Sequence, residues 1–241
     1  MSQDLIRIGT AGWAIPRATS GDFPTEGSGL SRYASVFNAA EINSTHHRSH
    51  QTKTYERWRE TVPEQFRFSV KTPKTLTHVA RLLDCNDGVA EFLKEISPLA
   101  PKLGPILLQL PPSFAFDAAI VEPFCRLLAQ GDRFRIVCEP RHASWFNTDV
   151  DRWLANRRIA RVAADPARHP GGDAPGGWRG LSYYRLHGSP RVYYSSYSAE
   201  ELDALRDRLA SDAADERWCI FDNTASGAAA ANAIALLRLL E

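Results

Sequence analysis

Residues 105–139 read PILLQLPPSFAFDAAIVEPFCRLLAQGDRFRIVCE, running from one apolar stretch through a helix-like segment into a second apolar stretch. Pro105–Leu110 and Phe134–Glu139 are short, rich in Ile, Leu and Val, and closed off by Pro111-Pro112 and by Pro140, which are the marks of buried strands. Between them Ala118–Gln130 has the length and apolar spacing of an amphipathic helix, and it stops at Gly131, where a left-handed C-terminal residue is expected. Two strands joined through a helix pair in parallel by a right-handed crossover.

The same unit recurs on both sides. Upstream, strands are expected at Leu5–Gly9, Ala39–Asn43 and Phe66–Lys71; downstream, at Ile159–Ala164, Ser182–His187 and Arg217–Asp222. Helices are expected at Leu30–Phe37 (capped by Ser28 or Ser31), Thr54–Thr61, Asp87–Leu99, Thr148–Asn156, Ala199–Ala210 and Gly227–Leu240. Ser198 and Glu201 have the spacing of a capping box. Only Pro166–Gly180, rich in Pro and Gly, lacks a helical pattern and reads as a loop. Eight strands alternating with helices predict an α/β fold, a single (β/α)8 TIM-type barrel domain over residues 1–241. An open doubly wound sheet would want a G-x-G-x-x-G turn after an early strand, and Gly9-Thr10-Ala11-Gly12 lacks that spacing.

Composition narrows the function classes. The 241 residues are 44% hydrophobic and 24% charged with a formal net charge of +1, so there is no broad basic field for a nucleic-acid backbone. No apolar run reaches the roughly 18 residues of a membrane span. The segment before Leu5-Ile6-Arg7-Ile8-Gly9 has no signal-peptide pattern, so the expected location is the cytoplasm. Cys85, Cys125, Cys138 and Cys219 form no C-x-x-C pair and read as small buried apolar residues.

In a parallel barrel the chemistry sits at the carboxyl ends of the strands, and those ends are polar here. Alternation puts Glu41 with Asn43, Ser69 with Lys71, Glu139 with Arg141, and Tyr183 with Arg185 and His187 on one face each. Phe66, Phe68, Val70, Tyr184 and Leu186 occupy the opposite face, toward the helices. Each polar residue has a bland structural reading, as an ion pair, a cap or a solvated strand end, but so many at one mouth point to a site.

These strand ends also carry a resemblance. Gly9-Thr10-Ala11-Gly12-Trp13, Glu41-Ile42-Asn43-Ser44-Thr45, Phe66-Arg67-Phe68-Ser69-Val70-Lys71, Thr77-His78, Gln109-Leu110-Pro111-Pro112, Glu139-Pro140-Arg141-His142-Ala143-Ser144-Trp145, Tyr184-Arg185-Leu186-His187-Gly188 and Phe221-Asp222-Asn223 follow in an order that resembles the YecE-like family, or domain of unknown function seventy-two. The resemblance implies a TIM-type barrel without an established activity. The chain departs from the family pattern at His46-His47-Arg48-Ser49-His50, where Phe-Tyr-Arg is typical, and at Asp222, where Asn is typical.

The favoured reading is an enzyme acting on a small phosphate- or carboxylate-bearing substrate by acid/base chemistry. Glu41, Glu139 and His187 would be the catalytic residues. Lys71, Arg141 and Arg185 would clamp the anion, with Trp13, Asn43, His78, Gln109, Trp145, Asp165 and Asn223 lining the site. Glu139 is expected to pair with Arg141 or Arg185, leaving one or two cations unpaired. At least one of Trp13 and Trp145 is expected in the mouth. A metal-dependent phosphoesterase or sugar isomerase, using Glu41, Glu139, Asp165, His187 or Asp222 as ligands, competes; no H-E-x-x-H motif is present, and no metal or cofactor is expected. His46 and His50 would share a face only if their segment were helical. A third reading is a non-turnover binder, of a metabolite or of nucleic-acid bases stacked on Trp13, Tyr33, Trp145 or Tyr183.

Overall fold

The structure, a computed structural model, describes residues 5–241. Its strands are β1 (Leu5–Ala11), β2 (Ala39–Ile42), β3 (Arg67–Lys71), β4 (Leu103–Gln109), β5 (Ile136–Glu139), β6 (Ile159–Arg161), β7 (Ala163–Asp165), β8 (Gly176–Gly177), β9 (Leu181–Leu186) and β10 (Glu216–Phe221). The helices are α1 (Gly29–Ala34), α2 (Thr52–Thr61), α3 (Asn86–Ile96), α4 (Ala118–Ala129), α5 (Thr148–Ala155), α6 (Ala199–Ser211) and α7 (Ala228–Leu240). The sheet order is β7-β9-β10-β1-β2-β3-β4-β5-β6-β8.

Closure depends on one split strand. β6 and β7 are separated by Val162 alone; β6 pairs with β5 from Ile136↔Ile159 to Cys138↔Arg161, and β7 pairs with β9 from Ala163↔Tyr184 to Asp165↔Leu186. Residues 159–165 therefore join the two ends of the sheet into a barrel of eight main strands, all parallel. The sixth expected strand is this bent one. The connection at 166–180 contains no helix and instead lays β8 antiparallel on β6. Two glycines serve there because the backbone packs so close that a Cβ on Gly177 would meet the Ile159 carbonyl oxygen at 2.5 Å.

Two apolar layers hold the barrel. Outside it, Phe66, Phe68, Val70, Tyr184 and Leu186 pack against helix residues such as Phe92, Leu93 and Leu205. Inside, Ala39, Leu107, Val137, Leu181, Tyr183, Trp218 and Ile220 fill the lower lumen. Trp218 stacks on Tyr183 with centroids 5.8 Å apart and lies over Gly104, where a Cβ would come within 2.6 Å of its ring. The lumen is thus a packed plug, with one polar layer above it and, at the amino ends of β1 and β10, Arg7 paired to Glu216 at 2.6 Å. The expected caps form locally: Ser28 accepts from the Ser31 amide, and Ser198 with Glu201 closes a capping box on α6.

Candidate functional site at the barrel mouth

Strand register delivers the polar layer. Glu41 lies beside Ser69 across β2–β3, and Gln109 lies beside Glu139 across β4–β5. Arg185, near the end of β9, reaches the centre of this layer. Its Nη2 and Nε donate to Glu41 Oε1 and Oε2 at 2.6 and 3.0 Å, its Nη1 to Glu139 Oε2 at 2.6 Å, and its Nη2 also to Asp222 Oδ2 at 3.0 Å. Tyr183 adds a hydroxyl to Glu41 Oε2 at 2.8 Å. Glu41 and Arg185 are wholly buried.

Glu139 is saturated. Besides Arg185 it accepts from Gln109 Nε2 at 3.1 Å, from Arg141 Nη2 at 3.0 Å and from His187. Burial alone would raise the pKa of its carboxyl, but Arg185, His187 and Arg141 outweigh that and hold it well below the usual carboxylate range. His187 places Nδ1 3.0 Å from Asp222 Oδ2 and Nε2 3.2 Å from Glu139 Oε1. Neither ionised carboxylate has a proton to give, so the ring satisfies both only as an imidazolium. Burial opposes that charge, yet the Glu139 field and the two hydrogen bonds raise its pKa above the ordinary histidine value. Both nitrogens are occupied, and the same carboxylates that fill them keep the ring protonated.

Lys71 contrasts with all of these. It sits at the inward-facing end of β3, is 9% exposed, and its ammonium makes no hydrogen bond or ion pair with any described residue. Burial pushes its ammonium below the usual lysine value, Arg185 adds to that, and Glu139, Glu41 and Asp222 pull it back. Nearby His46 and His78 are neutral. His46 is pushed down to about 4 by burial, with Lys71, His78 and His47 contributing, and His78 is lowered by partial burial and then by Lys71 and Arg141. A cavity of about 140 Å³ opens beside Glu139, Arg141 and His187, walled on its far side by Phe146, Arg168 and Val192. That is smaller than the roughly 300–1,000 Å³ typical of drug-sized ligand sites.

Several expected site residues do not converge on this layer. Trp145 is wholly buried, donates Nε1–H to the Phe114 carbonyl at 2.9 Å and packs edge-on to Phe116, so it braces the rim from outside. Trp13 stands edge-on to Trp58 at 5.0 Å and to Phe68 at 6.1 Å, again on the helix side of the sheet. Asn223 follows the inward Asp222 and so points away; its Nδ2 ties the Ser195 carbonyl to Asn232 of α7. Asp165 is engaged by the Tyr197 hydroxyl at 3.0 Å. His46 ends a single 3-10 turn (Ser44–His46), bonded through Nδ1 to the Thr72 carbonyl at 2.8 Å, and His50 lies beyond that turn against Ser44, so no helix face joins them. Asn43 does reach the layer, with Nδ2 3.5 Å from Asp222 Oδ1. Two members stood outside the favoured site set and entered only the competing readings, Tyr183, here the Glu41 partner, and Asp222, here a second anchor for His187. Strand alternation pointed to both, since Tyr183 shares the face of Arg185 and Asp222 that of Ile220 and Trp218. Among the described residues no group of three or more His, Cys, Asp or Glu is placed to share a metal ion, and no helix is long and apolar enough to cross a membrane.

The family profile described as "Protein of unknown function DUF72" matches residues 7–241. The chain belongs to the DUF72 family. Among its relatives, the UPF0759 protein YecE of Escherichia coli (strain K12) is 33% identical over 166 residues, 67% of this chain and 59% of that protein. The protein of the same name from Escherichia coli O157:H7 is 39% identical over 155 residues, 64% of this chain and 55% of that one. The chain thus matches less than two thirds of the length of either relative. Among solved structures, a DUF72 family protein from Enterococcus faecalis V583 superposes with a TM-score of 0.83 at 20% identity, covering 98% of this chain and 95% of its own. Another, from Thermotoga maritima MSB8, gives 0.77 at 26% identity, covering 98% and 99%. They share the barrel of this DUF72 protein; no activity is established by any of them.

Proposed function

We propose that this DUF72 chain works as a single barrel domain whose mouth binds a small phosphate- or carboxylate-bearing molecule and acts on it by proton transfer. The carrying observation is Lys71, a buried cation without an ion-pair partner above a network that is otherwise closed. Four cations (Lys71, Arg141, Arg185 and the imidazolium of His187) face three carboxylates (Glu41, Glu139 and Asp222), so one positive charge is uncompensated. An unpaired buried cation costs several kcal/mol, and a bound anion offsets that cost.

The roles differ from those expected of the sequence. Arg185 is wholly buried and bonded to all three carboxylates, so it serves as the keystone of the carboxylate layer. Glu41 is wholly buried, Glu139 is saturated as an acceptor, and His187 has no free nitrogen. The anion is instead held by Lys71 and by the partly exposed guanidinium of Arg141, which Glu139 orients. His78, neutral near pH 7 and close enough to feel both cations, is the proton acceptor this arrangement supports.

The test is thermal stabilisation by inorganic phosphate and by acetate, beside a neutral sugar, in the wild-type chain and in Lys71→Met. Stabilisation by an anion that disappears in Lys71→Met is expected. Equal response of the two proteins, or response to the sugar alone, would overturn the proposal.

A further inference from the structure

An amine that is desolvated, next to another cation, and free of any carboxylate partner is a nucleophile as well as an anchor. Lys71 meets each condition. It is buried in the barrel mouth at the carboxyl end of β3, the cation that acts on it most strongly is Arg185, and no described carboxylate binds it. The protein's other lysines differ. Lys102 is tied to the Arg59 and Val62 carbonyls at 2.9 and 2.6 Å, and Lys53, Lys74 and Lys94 stand exposed on the surface. A lysine whose task was structural would be expected to hold a partner, as Lys102 does.

Resting on the anion-binding reading of the same mouth, we infer that Lys71 forms a covalent imine with the carbonyl of a small 2-oxo acid. The Nζ–carbon bond forms and the carbonyl carbon–oxygen bond breaks. The oxygen leaves as water with two of the three ammonium protons, and the protonated imine keeps the third. Charge is conserved, and no oxidant or co-reactant is needed. Glu41, Glu139 and Asp222 already bias the Lys71 position toward positive charge, which favours the iminium product. Arg141, which acts on Glu139 and His78 as Lys71 does, supplies a guanidinium for the carboxylate of the same substrate.

The experiment incubates the full chain with pyruvate and borohydride, then locates the adduct by peptide mass. Hydride adds to the imine carbon and fixes the bond. The expected result is one reduced pyruvate adduct on the peptide carrying Lys71, absent from Lys71→Arg, which keeps the charge. Lys53, Lys74 and Lys94 act as internal controls, and equal labelling of these would overturn the inference. Lactate, which has the carboxylate without the carbonyl, is measured in parallel by thermal shift. If lactate and pyruvate both stabilise the fold but no Lys71 adduct forms, the imine is wrong while the anion site stands. If neither stabilises and no adduct forms, both fail. A circular dichroism spectrum of Lys71→Arg matching wild type shows that loss of adduct is not loss of fold.

Discussion

Arg185 and Glu41 make a two-pronged ion pair, 2.6 Å from Nη2 to Oε1 and 3.0 Å from Nε to Oε2, with neither side chain reached by solvent. The pair joins β9 to β2 across the lumen. It explains how three carboxylates coexist in one buried layer: the guanidinium, with its planar fork of donors, touches all of them.

Removing that centre should therefore be a stability change before it is a binding change. Arg185→Met strips Glu41, Glu139 and Asp222 of their shared cation and is expected to cost about 3–5 kcal/mol. Adding Glu41→Gln should recover part of the loss, because one of the stranded charges is then gone. Urea titrations of the two single variants and the double variant measure the coupling. Strictly additive losses would show that the pair is not a unit.

Lys71→Met should move stability the other way. The variant removes a buried ammonium that has no partner and leaves an apolar chain of similar reach, so a gain of about 0.5–2 kcal/mol is expected. The same change should abolish stabilisation by phosphate. A site that is less stable with its lysine than without it is what a functional cation predicts. A Lys71→Met chain that melts below wild type would place Lys71 among the structural residues.

Much of this was legible in the sequence, and the exceptions have physical causes. Alternation along 182–187 and 39–43 put Glu41, Tyr183, Arg185 and His187 on one face correctly because every barrel strand has a buried side within the lumen. Sequence pattern could not say which cation keeps a partner. That depends on reach across the lumen: Arg185 is long enough to meet carboxylates on β2, β5 and just past β10, while Lys71 has none within bonding distance. Trp13 and Trp145 were misplaced because a residue just past a strand end can turn either inward or back over the helix layer, and the Phe114 carbonyl and the Trp58 ring decide that question. The split of the sixth strand at Val162 was hidden as well, since Ile159–Ala164 contains no Pro or Gly to mark a break.

Tyr183→Phe tests the floor of the site. The hydroxyl donates to Glu41 Oε2 at 2.8 Å within the buried layer, and burial, then the charge of Glu41, holds the Tyr183 pKa well above the ordinary tyrosine value. Losing a hydrogen bond to a buried carboxylate is expected to cost about 1.5–3 kcal/mol. Stacking on Trp218 is retained, so the fold should survive. A loss indistinguishable from zero in a urea titration would mean that Arg185 alone satisfies Glu41.

His187 gives the layer a pH signature with a definite sign. Its folded pKa lies above its unfolded one, because Glu139 and Asp222 favour the imidazolium despite burial. Its contribution is therefore fully present below about 6.5, the unfolded histidine value, and is lost as pH rises through the folded value. Glu139 and Asp222 behave oppositely. Their folded values are lowered, so their contribution is present above about 4 and fades as pH falls below it. The two limbs leave the layer most stabilising between about pH 4 and 6.5. His46 pulls against this in acid. It is buried neutral with a folded value of about 4, so its contribution falls as pH drops from about 6.5 toward that value. Comparing wild type with His187→Gln isolates the first term, since His46 is common to both chains. The stability difference between them should be largest near pH 6 and shrink steadily above it, at about 1.4 kcal/mol per pH unit at most. Urea titrations across the alkaline range read that slope, and a difference that stays flat would mean that the ring between Glu139 and Asp222 is not protonated in the fold.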